Sequence, residues 1–253
     1  MQLQLPDFYY LKRAMPRCRI RVIFLTLLSL IVLMPAFAED DLPPPTCETL
    51  IVLISDLNES YGSTSYSRHV DAALDYITRL NPDLVICAGD MVAGQKQSLS
   101  DGNIREMWWA FDRKVLNRLR KLQIPFAFTL GNHDGSSSST FANERRIAED
   151  FWTRNLPDLD YIDNASFPAC YSFAMGGIFF AVIDASSARI DPLQQAWLEE
   201  QLACPSALSC RLRVVIGHLP MYAIAEGRNR QGDVLANADS FFEMLDKKNV
   251  DYY

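Results

Sequence analysis

Short apolar runs alternate with stretches of helical spacing over most of this chain. Leu50-Ile51-Val52-Leu53-Ile54 is continuous and apolar, the pattern of a strand buried on both faces. After a Gly/Ser/Tyr-rich loop over 58–67, apolar residues recur at Val70, Ala73, Leu74, Ile77 and Leu80. That spacing predicts a helix with Ser67 as N-cap, ended by Asn81-Pro82. Residues 83–88 read as a second strand that stops at Gly89-Asp90. A polar loop over 94–103 leads to a long amphipathic helix marked by Trp108, Phe111, Val115, Leu119 and Leu122. Pro125-Phe126-Ala127-Phe128 is a third strand. Strand, helix, strand, helix, strand implies right-handed crossovers and a parallel core.

The second half changes character. The serine run over 136–140 reads as a rim loop and 141–155 as a helix. Two β-rich runs, 171–175 and 178–183, flank Gly176-Gly177 and predict a hairpin. Asp191-Pro192 is an N-cap followed by an N1 proline, opening a helix with Leu193, Ala196, Trp197 and Leu202 on its apolar stripe. Residues 212–216 form a further strand that stops at Gly217-His218. A helix over 241–248 follows, and Val250-Asp251-Tyr252-Tyr253 begins another strand. The chain shows no internal repeat.

The amino terminus reads as a signal peptide over 1–38. Basic residues end at Arg21, residues 22–33 are almost wholly apolar, and Ala36 and Ala38 give a small-x-small cleavage pattern with cleavage after Ala38. The run is short for a transmembrane helix, which needs ~20 residues. Export to a periplasmic or extracellular space is expected, without stable membrane insertion after cleavage. An uncleaved signal anchor is the alternative. Pro43-Pro44-Pro45 marks 39–48 as a linker, leaving one domain over 49–253.

Composition sharpens this picture in two places. The chain has 253 residues and a net charge of -7, but its first 38 hold five basic residues and one acidic, so 39–253 carry -11. An acidic surface argues against nucleic-acid binding, which needs a basic face. It permits small phosphate esters, because a bound metal supplies positive charge locally. Of six cysteines, Cys18 leaves with the signal. Cys204 and Cys210 are the best disulfide pair in an oxidising compartment. Cys87 reads as a buried small hydrophobe, and without a C-x-x-C a cysteine-bound zinc is not expected.

Chemistry gathers where strands stop. Four apolar runs end in Ser55-Asp56-Leu57-Asn58, Gly89-Asp90, Gly131-Asn132-His133-Asp134 and Gly217-His218. Each alone is an ordinary turn. Strand ends of one parallel sheet lie side by side, so together these groups converge on one crevice.

These residues resemble the calcineurin-like metallophosphoesterases, which include purple acid phosphatases, phosphodiesterases and nucleotidases. The family pattern is D-x-H, G-D, G-N-H-[DE], a G-H after a later strand, and a final G-H-x-H. The resemblance runs from about Leu50 to Tyr253 and extends to the Gln195-Ala196-Trp197-Leu198 helix and to Pro220 after His218. It implies an α/β fold, the four-layer αββα sandwich of that family. It also implies hydrolysis of phosphate mono- or diesters by a metal-bound hydroxide at a dinuclear site. Asp56 and the Asn58 position would bind the first metal and Asp90 would bridge. Asn132 and His218 would bind the second, and His133 would serve the leaving oxygen, oriented by Asp134. Asp184 falls outside the motif and reads as structural.

Two departures modify the expectation. Asn58 stands where the family has histidine; its amide oxygen is a weaker, harder ligand than imidazole and would bias the first site toward Mn, Mg or Ca over Zn, so that of two divalent metals among Mn, Fe, Zn or Mg, Mn is favoured. Tyr61 or Glu59 could compensate. Ala93 stands where purple acid phosphatases carry tyrosine, which argues against an iron-tyrosinate centre. The final G-H-x-H is missing, so the expected domain is carboxyl-truncated, with an incomplete second sheet. The alternative function is a catalytically impaired remnant binding metal weakly or not at all. A third reading, an exported binding module whose strand ends are plain turns, requires four motifs to coincide.

Overall fold

The computed structural model describes residues 49–253 and, for the backbone, 21–26. The cleavage site, the 39–48 linker, Cys18 and Cys47 lie outside the described residues. Arg21–Thr26, which falls inside the stretch read as a signal peptide, is a strand, β1, paired parallel to Leu50–Ser55, β2; a chain cleaved after Ala38 would keep the first sheet without this edge strand.

The first sheet is parallel throughout, in the order β1-β2-β3-β4, with β3 at Leu84–Cys87 and β4 at Phe126–Phe128. The linking helices are α1 (Arg68–Leu80) and α2 (Asp101–Phe111), the latter continuing through a π-helical turn at Asp112–Leu116 into α3 (Asn117–Lys121). Ser67 is the N-cap of α1 by position, but its side chain makes no capping bond. The long helix starts earlier than its apolar spacing suggests, because the Ser100 hydroxyl accepts the Asn103 amide and caps α2. The Gly131-Asn132-His133-Asp134 stretch opens a helical turn, α4 (Asn132–Gly135). Helix α5 (Ala142–Arg154) follows.

The second sheet has the order β5-β6-β7-β8. Strand β5 is Tyr161–Ser166, and β6 (Cys170–Met175) and β7 (Ile178–Val182) form the expected hairpin across Gly176-Gly177. After α6 (Pro192–Ala203), capped by Asp191, and the short α7 (Pro205–Ser209), β8 (Leu212–Ile216) returns parallel to β7. Beyond α8 (Ala238–Lys247), Tyr252 makes an isolated parallel bridge to Val214 of β8 in place of the expected strand.

Side-chain alternation places these elements in four layers. Val52, Ile54, Val85, Cys87, Phe126 and Phe128 face α1, α2 and α5 in one core. Ile51, Leu84, Ile86 and Ala127 face Tyr171, Phe173, Phe180 and Val182 between the two sheets. Phe179, Ala181 and Val215 pack under α6 and α8 in a third. This is the αββα sandwich, in which β3, β4 and β7 are buried on both faces. The Tyr171 hydroxyl ties the sheets together, accepting from the Phe128 amide at 2.9 Å and donating to the Phe128 carbonyl at 2.5 Å.

The expected Cys204–Cys210 disulfide is absent; both are free thiols. They sit at the two ends of α7. The helix rise of ~1.5 Å per residue holds its ends apart, against the close Cα approach a disulfide needs. Cys87 is a fully buried thiol whose pKa burial raises. Among the described residues no helix is long and apolar enough to cross a membrane.

Candidate metal centre

Two strands of the first sheet end in a left-handed aspartate. Asp56 after β2 has φ 54° and Asp90 after β3 has φ 56°. Aspartate tolerates this conformation better than most residues, and strained backbone of this kind gathers at functional sites. The two turns interlock: the amides of Leu57 and Asn58 both donate to the Asp90 carbonyl, at 2.9 and 3.2 Å. Asp56 remains exposed and its carboxylate accepts the Ser55 hydroxyl.

Glycines allow the turns to approach. A Cβ on Gly131 would lie 2.1 Å from Asp90 Oδ1, and one on Gly89 would lie 2.6 Å from His218 Nδ1. Because Gly131 has no side chain, the α4 turn seats directly on Asp90. The His133 amide donates to Asp90 Oδ1 at 3.0 Å.

Three donors then meet. His218 donates from Nδ1 to the Ala88 carbonyl at 2.7 Å, which turns Nε2 toward Asn132 Oδ1 at 2.9 Å and Asp90 Oδ1 at 3.4 Å. The Asn132 amide is fixed from its other side, where Nδ2 donates to Gln95 Oε1 at 2.8 Å. Both ring nitrogens of His218 thus face oxygen acceptors. The arrangement requires positive charge at Nε2, either a proton or a metal ion. Burial pulls the His218 pKa down, but the Asp90 carboxylate, the Ala88 carbonyl, Asp56 and Asp134 outweigh it, and the net shift is upward. One carboxylate, one amide oxygen and one imidazole nitrogen suit a divalent ion of intermediate hardness. The histidine carries the backbone-carbonyl second shell that ligating imidazoles need. Residues at this point fit a metal.

The other half of the centre is less assembled. Asp56 stands beside Asp90 through the shared turn, and Asn58 joins that turn through its backbone amide rather than its side chain. Among the described residues, no group of three His, Cys, Asp or Glu is arranged to hold an ion. His69 is exposed on α1 and takes no part.

His133 sits at the rim. Its Nδ1 donates to the Gly94 carbonyl at 3.1 Å, and Nε2 lies 3.9 Å from Asp90 Oδ2. The Tyr61 ring leans over it at 5.2 Å between centroids. The expectation that Asp134 orients this imidazole is corrected. Asp134 is buried and accepts the Val92 and Gly131 amides at 2.9 and 2.8 Å; the Gly94 carbonyl orients the ring. Burial, then the Asp90 charge, pushes the Asp134 pKa up to about 7 against those two amides and His218. Asp184 pairs with Arg145 at 2.8 Å and accepts the Ser186 amide and hydroxyl.

Sequence reasoning missed Gly94, Gln95 and Glu144. The Glu144 carboxylate, on α5, is buried and accepts the amides of Gln95 at 2.6 Å and Lys96 at 3.2 Å. Within a charged run on a helix it carries no signal, because such runs are ordinarily solvated.

A family model described as calcineurin-like phosphoesterase matches residues 49–253. No curated protein matches the chain. Among solved structures, a dimetal phosphatase from Danio rerio is similar at 16% identity and TM-score 0.48, over 78% of this chain and 77% of that one.

Proposed function

The chain belongs to the calcineurin-like phosphoesterase family and is a metal-dependent phosphoesterase, and we propose that it is an exported hydrolase of small phosphate mono- or diesters working at a two-metal centre. The observation that carries this reading is the meeting of Asp90 Oδ1, Asn132 Oδ1 and His218 Nε2. These three would hold one ion. Asp56 and Asp90 would hold the other, with Asn58 where the family has imidazole.

When bound, such ions neutralise phosphoryl oxygens and lower the pKa of bound water. The chain supplies the rest. Ala88 and Gln95 hold His218 and Asn132 in their ligating orientations. Gly94 keeps Nδ1 of His133 protonated, so Nε2 is the atom that exchanges a proton, and it can deliver one to the leaving oxygen. The basic-then-apolar segment ending in Ala36-Phe37-Ala38 supports export.

The test is turnover by the purified protein with Mn²⁺ on p-nitrophenyl phosphate and its bis-ester. Hydrolysis of either supports the reading, and the ratio separates mono- from diesterase. A second reading, an impaired member that binds metal without turnover, is favoured by Asn58. It would be supported by Mn²⁺ binding with neither ester cleaved.

A further inference from the structure

We propose that Glu144 is a positioning residue that sets two functional side chains at once through the loop 94–96; the inference rests on the metal-centre reading above. Gln95 has a left-handed backbone, φ 65°, and Lys96 is exposed. Glu144 reaches the loop from α5, a separate element, and takes both consecutive amides on one carboxylate. It is 5% exposed. Backbone amides facing a buried carboxylate form charge-assisted hydrogen bonds, roughly twice as strong as neutral ones.

Each residue of that clamped loop then acts on the centre. The Gly94 carbonyl fixes the tautomer of His133 at 3.1 Å, and the Gly94 amide donates to the His133 carbonyl at 3.0 Å. The Gln95 side chain turns the Asn132 amide so that its oxygen faces His218 Nε2. Gly94 is the residue that permits the packing: a Cβ there would lie 2.4 Å from the His133 carbonyl oxygen and 2.6 Å from Glu144 Oε2. A single carboxylate therefore lies behind both the proton-exchanging imidazole and an amide ligand. Glu144 bonds backbone amides and Gln95 bonds the Asn132 side chain, so their contribution is orientation. Removing outer-shell partners of metal ligands lowers affinity ~10–100-fold.

Two variants test the assignment on the purified protein. In Glu144→Gln one amide faces an NH₂ group and the loop loses its clamp. In Gln95→Ala the clamp stays and Asn132 loses its partner. With three histidines in the chain, the His133 ring nitrogens can be resolved by ¹⁵N NMR without metal. The expected result is a single Nδ1–H tautomer in the parent and a mixture in Glu144→Gln. For Gln95→Ala, calorimetry should show Mn²⁺ affinity at least ~10-fold weaker, with an unchanged thermal midpoint and an unchanged His133 tautomer. An unaltered tautomer in folded Glu144→Gln, or Mn²⁺ affinity within two-fold of the parent in Gln95→Ala, overturns the proposal. If Glu144→Gln fails to fold, the Gln95→Ala result decides. If the parent binds Mn²⁺ without cleaving ester, the functional reading fails and both measurements still decide the positioning role. If the parent binds no Mn²⁺, the tautomer decides alone.

Discussion

At the scale of single residues, two side chains separate binding from proton transfer. Asp90 has the one oxygen that contacts both the His133 amide and His218 Nε2. Asp90→Ala should weaken Mn²⁺ binding by more than the ~100-fold that outer-shell losses reach, measured by calorimetry; unchanged affinity would remove Asp90 from the centre. His133→Ala should keep Mn²⁺ affinity and lose ~10²–10⁴-fold in kcat, the usual share of a general acid. The loss should be larger for an alkyl phosphate than for p-nitrophenyl phosphate, whose leaving oxygen needs little protonation. Equal losses on both esters would assign His133 to orientation. The candidate ligands stood out in the sequence because Asp56, Asp90, Asn132 and His218 each lie within four residues of the end of an apolar strand, so that four polar strand ends coincide on one sandwich. Glu144 and Gln95 were not, since their meaning lies in a contact between a helix and a loop 49 and 48 positions from its two amides.

At the scale of elements, the first turns of α5 hold the centre from two directions. Glu144 holds the loop after β3, while Arg145 bonds the Gly135 carbonyl at the end of α4 and pairs with Asp184 after β7. The Arg145 and Asp184 side chains are 14% and 12% exposed. Burial works against the Arg145 charge, yet Asp184 and Glu149 raise its pKa on balance. Removing one partner of a buried pair leaves the other uncompensated, so Arg145→Ala should cost about 3–5 kcal/mol in urea unfolding. A loss under ~1 kcal/mol, typical of surface pairs, would show the contact to be solvated. Strands β2, β3, β4 and the β6–β7 hairpin were readable from their apolar runs. Strand β5 was not: Tyr161-Ile162-Asp163-Asn164-Ala165-Ser166 is polar and mostly exposed, an edge strand that exists because β6 offers it a partner. Likewise the start of α2 depends on a serine cap, a local bond that apolar spacing does not register.

At the scale of the molecule, the centre joins the two sheets. Asp90 and Asn132 follow strands of the first sheet, and His218 follows β8 of the second. The Gly217-His218 turn is held in place by Tyr253, whose hydroxyl donates to the Leu219 carbonyl at 2.8 Å and lies against Gly217. A cation shared by these donors would bind the folded protein and not the unfolded chain, and so must stabilise it by mass action. At a hundredfold excess over Kd the gain is ~2.7 kcal/mol. At ~2–4 °C per kcal/mol for a domain of this size, Mn²⁺ should raise the thermal midpoint by about 5–10 °C. His133→Ala should keep that rise, because its ring is outside the donor set, whereas Asp90→Ala and His218→Ala should each lose it. The His218 variant is the informative one. It leaves every donor from the first sheet in place, so a full Mn²⁺ shift in His218→Ala would mean that the ion is held by the first sheet alone. Loss of the shift would instead place the ion between the two sheets, where closing them around it is part of folding.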